Sequence, residues 1–156
     1  TSNIENPNHL YSTSGNKNVC LIVDNGIGSC QDTICQTVKV YPKPVAKFTP
    51  SSNNQCGQNT PIQFTNQSTI ASGTMSYQWS FGDSIGSTNI NPSHTYGQPG
   101  IYPVKLVVTS NYGCMDSVGN ASTSIRIREK PEISFDVRDT CFGGTVKFIN
   151  TTNNHP

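Results

Sequence analysis

The chain predicts an all-β protein made of β-sandwich repeats, and three observations lead there. Apolar residues alternate with a period of two: Tyr102, Val104, Leu106 and Val108 are interleaved with Pro103, Lys105, Val107 and Thr109, and Tyr77, Trp79 and Phe81 do the same one strand earlier. Such alternation buries one face of a strand and leaves the other mostly solvated. Turn residues separate these strands: Gly82-Asp83-Ser84, Gln98-Pro99-Gly100 and Ser110-Asn111-Tyr112-Gly113. Short strands punctuated in this way indicate a sandwich, and no stretch offers a sustained helical stripe. Finally, the chain repeats itself. Asn6-Pro7-Asn8-His9-Leu10-Tyr11 returns as Asn91-Pro92-Ser93-His94-Thr95-Tyr96, 85 residues later. Self-similarity at one period marks a modular array.

The repeat holds its register on both sides of that anchor. Val19-Cys20-Leu21-Ile22-Val23 matches Val104-Lys105-Leu106-Val107-Val108, and Asp32 matches Asp116 after one deletion. A third copy begins as Pro44 to Phe48 recurs at Pro131 to Phe135, followed by Cys56 against Cys141 and Gln63-Phe64-Thr65-Asn66 against Lys147-Phe148-Ile149-Asn150. The expected organisation is therefore the C-terminal half of one unit (1–43), a complete unit (44–128) and the N-terminal part of a further unit (129–156). Proline-containing seams, Tyr41-Pro42-Lys43-Pro44 and Glu129-Lys130-Pro131, stiffen the joints. Isolated hairpins are marginal in water, so the flanking halves are not expected to close cores of their own, and the segment reads as internal to a longer protein.

Composition narrows the function classes. Lys and Arg number 10 against 9 Asp and Glu, which provides no basic footprint for nucleic acid or an anionic membrane. No apolar run is long enough to cross a bilayer, so membrane insertion is not expected. Six cysteines without zinc-type spacing, in a chain rich in Ser, Thr and Asn, point to disulfides and an oxidising compartment.

Tyr77-Gln78-Trp79-Ser80-Phe81-Gly82-Asp83, then Asn91 to Tyr96, then Gly100-Ile101-Tyr102-Pro103-Val104-Lys105-Leu106-Val107-Val108 together resemble the polycystic kidney disease (PKD) domain. The resemblance covers the whole of the complete unit and implies an immunoglobulin-like sandwich. The family pattern usually has Asp where this chain has Ser80 and Gly where it has Ser84, so a calcium site at this turn is not carried over and no cofactor is expected. Trp79 is the largest apolar surface available and should anchor the core. Phe81 accompanies it, Gly82 permits the turn, and Asp83 accepts hydrogen bonds from amides of its own loop. His94 and Tyr96 should bury their rings and direct polar atoms to backbone partners, with Tyr102 in the same core. No nucleophile, base and orienter recur together, so no catalytic residue is expected.

Cys20 stands where Lys105 faces solvent, and reflection through the Asn25 to Gly28 turn lands on Cys35, which predicts a cross-strand disulfide. Cys30, Cys56, Cys114 and Cys141 form a repeated set with two readings: an intradomain Cys56–Cys114 bridge, or bridges between neighbouring units. In an immunoglobulin-like topology the first turn and last hairpin lie at opposite ends, which makes the intradomain bond awkward. Asp32-Thr33-Ile34, Asp83-Ser84-Ile85, Asp116-Ser117-Val118 and Asp139-Thr140-Cys141 look like bacterial O-glycan acceptors, with Thr33, Ser84, Ser117 and Thr140 as the hydroxyl residues. Asn66, Asn120 and Asn150 fit the N-linked pattern.

These features imply a non-enzymatic stretch of a secreted, surface-attached bacterial protein, similar to PKD-repeat adhesins that act as semi-rigid stalks in attachment, gliding or biofilm cohesion. Its partners would be neighbouring units of the same chain and a glycan or protein surface ligand. The alternative is an accessory module of a secreted hydrolase that binds carbohydrate or protein substrate. For that module a platform of coplanar exposed rings is needed, and Tyr11, Tyr41 and Tyr112 are the candidates. A third reading completes the partial units by edge pairing with a neighbouring molecule.

Overall fold

The computed structural model describes residues 1–26, 30–119 and 121–152. The turn positions Ile27 to Ser29 and the acceptor Asn120 therefore lie outside the described residues. Among the described residues there are fourteen strands, in chain order. The first two, β1 (Gly15–Asp24) and β2 (Gln31–Val40), form an antiparallel hairpin. The central stretch contributes β3 (Phe48–Pro50), β4 (Asn54–Cys56), β5 (Ile62–Asn66), β6 (Met75–Ser80), β7 (Gly86–Ser87), β8 (Ser93–His94), β9 (Gly100–Pro103), β10 (Lys105–Ser110) and β11 (Met115–Val118). A single turn of 3-10 helix (Ala121–Thr123) leads to β12 (Ser124–Arg128), and β13 (Phe135–Val137) with β14 (Phe148–Asn150) closes the described chain.

One layer of the sandwich is β3-β5-β8. The other is laid down in two successive ladders, β4-β12-β9 and β11-β10-β6-β7. The run from Tyr102 to Thr109 reads in the sequence as one strand, because its side chains alternate without a slip. It is in fact broken at Val104, whose carbonyl accepts the Thr123 hydroxyl at 3.1 Å. Gly119 sits against this break, and a Cβ there would lie 2.9 Å from the Val104 carbonyl oxygen. The alternation survives because β9 and β10 continue in one direction, with β12 and β11 as their respective partners.

Between the layers lie Phe48, Ile62, Phe64, Trp79, Phe81, Tyr96, Val104, Leu106, Val108, Ile125 and Ile127, all buried. Trp79 packs edge-on against Phe48 at 5.1 Å between centroids and tilts against Phe64 at 5.8 Å. Its indole N–H donates to the Asn89 carbonyl at 2.9 Å, so the ring's one polar atom is satisfied as it is buried. Tyr102 departs from the expected burial. It is half-buried, stacked on Tyr96 at 4.1 Å with its hydroxyl donating outward to the Gln98 carbonyl.

Among the described residues nothing covers the flanking hairpins: Leu21 is 62% and Ile34 63% exposed, and Phe135 62% and Phe148 68%. Their registers are informative. Leu21↔Ile34, Ile22↔Thr33 and Val23↔Asp32 in the first hairpin reproduce Leu106↔Val118, Val107↔Ser117 and Val108↔Asp116 of β10 and β11, position for position in the repeat. Likewise Phe135↔Asn150 and Val137↔Phe148 reproduce Phe48↔Asn66 and Pro50↔Phe64.

Candidate functional site

The residues singled out by the sequence converge on a buried polar cluster. Gly82 turns the chain at φ +87° and Ser84 follows at φ +71°, which brings Asp83 back over its own loop. One carboxylate oxygen accepts the Ile85 N–H at 3.1 Å, as expected, and the other accepts the His94 Nε2–H at 2.7 Å. The partner of His94 is therefore a carboxylate, not the backbone group that the sequence suggested. The β6–β7 turn places Asp83 beside β8, a proximity that local pattern does not encode. His94 stacks flat on Phe81 at 4.2 Å, and Tyr96 meets it edge-on at 4.7 Å. The Tyr96 hydroxyl donates to the Phe81 carbonyl at 2.9 Å. Burial, and secondarily the Asp83 charge and Tyr102, push its phenol well above the ordinary tyrosine range. The Asp83 carboxylate, His94 Nε2 and the Tyr96 hydroxyl are thus satisfied within the cluster, and what the arrangement does is brace the Gly82–Ser84 turn against the core. Among the described residues no group of three or more His, Cys, Asp or Glu could hold a metal ion.

A second constellation lies where the segment following β2 meets the sandwich. Tyr41 stacks on Tyr112 at 4.1 Å and 17°. The Lys39 ammonium lies 5.2 Å from the centroid of the Tyr41 ring. Tyr112 is held in place by its neighbour Asn111, which zips two loops together: Asn111 N–H donates to the Thr74 carbonyl and Thr74 N–H to the Asn111 side chain. Gly73 leaves room for the ring, since a Cβ there would lie 2.9 Å from Tyr112 Cε2. Beside the stack, Asp116 accepts the Ala46 N–H at 2.9 Å and pairs with Lys43 Nζ at 3.0 Å. The Ala46 hydrogen bond, and then Lys43, hold its carboxyl below the usual carboxylate range.

These contacts clamp the proline-containing segment onto the β10–β11 hairpin. They also correct the notion of a carbohydrate platform from Tyr11, Tyr41 and Tyr112. Tyr41 and Tyr112 are stacked on one another instead of lying side by side, and Tyr11 packs edge-on against His9 at 4.6 Å.

The clamp carries an acid-dependence. Because the folded-state pKa of Asp116 is lowered, its stabilisation is fully present above the unfolded carboxyl value, about 3.9, and is lost as pH falls through the folded value. Asp116→Asn is therefore expected to lower the urea midpoint at pH 7, the exposed Lys43 pair contributing under about 1 kcal/mol of this. At pH 3 the gap from the parent should narrow. An equal gap at both pH values would show that the carboxylate charge is not what holds the segment.

The sequence profile of the PKD domain matches residues 41–127, more than half of the chain. The chain belongs to the PKD domain family. It is 35% identical over 78 residues to Collagenase ColA of Bacillus cereus, covering 49% of this chain and 8% of that protein. It is 33% identical over 78 residues to Microbial collagenase of Vibrio alginolyticus, covering 50% of this chain and 10% of that one. The chain therefore spans about a tenth or less of the curated relatives it matches. Among solved structures it is similar to one from a study of carbohydrate-binding modules of the beta-sandwich superfamily, at 22% identity and a TM-score of 0.52, covering 68% of this chain and 52% of that one. That likeness concerns the fold alone.

Of the cysteines in and around the PKD domain, Cys20 and Cys35 are bonded, with Cα atoms 4.0 Å apart in directly paired positions. The other four disulfide candidates, Cys30, Cys56, Cys114 and Cys141, are free thiols. No Cys56–Cys114 bond joins the sandwich internally, and the topology explains why. Cys56 pairs with Arg128 beyond the Gly100 end of β9, whereas Cys114 follows Ser110 at the far end of β10. Ten residues of extended chain separate those ends, roughly 30 Å. The acceptor hydroxyls Thr33, Ser84, Ser117 and Thr140 are all exposed.

Sequence reasoning missed the clamp itself. Its one signal was the recurrence of an acidic residue after the hairpin, Asp32 and Asp116, which could have been weighed as a tether as well as part of an acceptor motif.

Proposed function

We propose that this chain is a non-catalytic accessory segment of an extracellular bacterial hydrolase, holding or orienting a matrix polymer for a catalytic part. The observation that carries this is the similarity of the sandwich to two bacterial collagenases. The Cys20–Cys35 disulfide supports an extracellular setting, since such bonds persist in oxidising compartments. Residues 1–43 and 129–156 belong, on this reading, to neighbouring PKD repeats, and the coincident hairpin registers support it. Co-sedimentation with insoluble collagen fibres tests the proposal: the chain should pellet with the fibres and release no soluble peptide. A chain left in the supernatant would overturn the accessory role, and released peptide would overturn its non-catalytic character.

A second reading, a semi-rigid stalk of a surface-attached adhesin, is favoured by the clamp. Tyr41 on Tyr112 and Lys43 with Asp116 restrain the approach of one repeat to the next.

A further inference from the structure

The outer face of the β4-β12-β9 ladder carries a feature that neither the core nor the clamp uses. On β12, Ile125 and Ile127 point inward and are buried, which turns Arg126 and Arg128 together to the solvent side. Residues two apart on one strand face stand about 7 Å from each other. Arg126 lies opposite Ile101 of β9 on one side and Asn54 of β4 on the other. Ile101 is 60% exposed. Arg128 is oriented by its Nε–H, which donates to the Asn54 side-chain oxygen at 3.0 Å, and its side chain, like that of Arg126, is exposed. With Asn53 and Ser124 these residues line a shallow groove of about 480 Å³.

Charge in the sandwich is unbalanced in the same sense. Residues 44–128 hold four cations, Lys47, Lys105, Arg126 and Arg128, against two carboxylates, Asp83 and Asp116. Both carboxylates are already engaged, by His94 and by Lys43 with Ala46. Among the described residues neither arginine takes part in an ion pair.

We propose that this groove binds an acidic polysaccharide, a sugar chain bearing carboxylate or sulfate groups. Two guanidinium forks suit planar carboxylates and sulfates, which they hold through paired N–H donors. Asn53 and Asn54 supply amides of the kind that sugar hydroxyls exchange hydrogen bonds with, and Ile101 supplies an apolar contact for a ring face. An acidic peptide fits less well. β12 is paired on both sides, so the floor of the groove has no free backbone edge for a peptide's main chain. The site goes beyond engagement of a protein fibre, and it is distinct from the tyrosine clamp at the other end of the sandwich.

Native gels cast with polygalacturonate or with heparin should retard the chain, and gels cast with neutral dextran should not. Arg126→Gln and Arg128→Gln are each expected to weaken retention at least about tenfold at low salt, as loss of a charge-assisted hydrogen bond implies. Both side chains are exposed, so the buried Trp79 fluorescence should be unchanged. The pair Lys47→Gln with Lys105→Gln removes twice the charge of either arginine variant, elsewhere on the sandwich, and should retain most of the binding. Absence of retardation, equal loss in the lysine pair, or equally tight arginine-dependent binding of poly-glutamate would each overturn the proposal. Collagen co-sedimentation by the arginine variants is expected to be unaltered, which separates this site from the accessory role above.

Discussion

Trp79→Ala is expected to destabilise the sandwich by about 3–5 kcal/mol, the cost typical of deleting a large aromatic ring from a closed core. The site cannot collapse to fill the space. Phe48, Phe64 and Phe81 surround the indole from both layers, and each is already fixed by a further neighbour. The substitution also removes the hydrogen bond from the indole N–H to the Asn89 carbonyl. Since Trp79 is the single tryptophan, the variant is best followed by far-ultraviolet circular dichroism across a urea titration. A shift worth under about 1 kcal/mol would mean that the two layers are held together by something other than this ring.

Gly82→Ala should come next in severity, at about 2–5 kcal/mol. The left-handed backbone at φ +87° imposes about 1–2 kcal/mol on any residue with a Cβ. The added methyl would also lie 2.8 Å from the backbone nitrogen and oxygen of Pro103, and forced overpacking costs about 1–3 kcal/mol more. Gly113 isolates the second contribution. It has a similar φ of +82° but nothing within 4 Å of an added Cβ, so Gly113→Ala should show the conformational cost alone. Equal midpoints for the two variants in urea would remove the claim that the Asp83 turn is pressed against the β9–β10 break.

Much of this molecule was legible in the residue pattern because the relevant forces are local. Period-two alternation placed Trp79, Phe81, Val104, Leu106 and Val108 on the buried face, and glycine at Gly82 announced a backbone that other residues resist. The Cys20–Cys35 bond was legible for the same reason, since an antiparallel hairpin pairs residues by reflection through its turn. The break at Val104 was not, because alternation runs through it unchanged and only the Thr123 hydroxyl reveals it. His94 illustrates the boundary: its burial was readable from the strand pattern, but its partner Asp83 was supplied by a turn from another strand.

What the sequence by itself determined is the class of object, an all-β sandwich whose aromatic residues serve cohesion, because strand periodicity and turn chemistry are properties of neighbouring residues. What only the tertiary structure decided is where polar chemistry meets. Ala46 and Asp116 are 70 residues apart, Tyr41 and Tyr112 come from different segments, and Arg126 shares a face with Ile101 and Asn54 through ladder pairing. Such meetings depend on strand order and register between distant segments, which burial of the core selects and which no local pattern specifies.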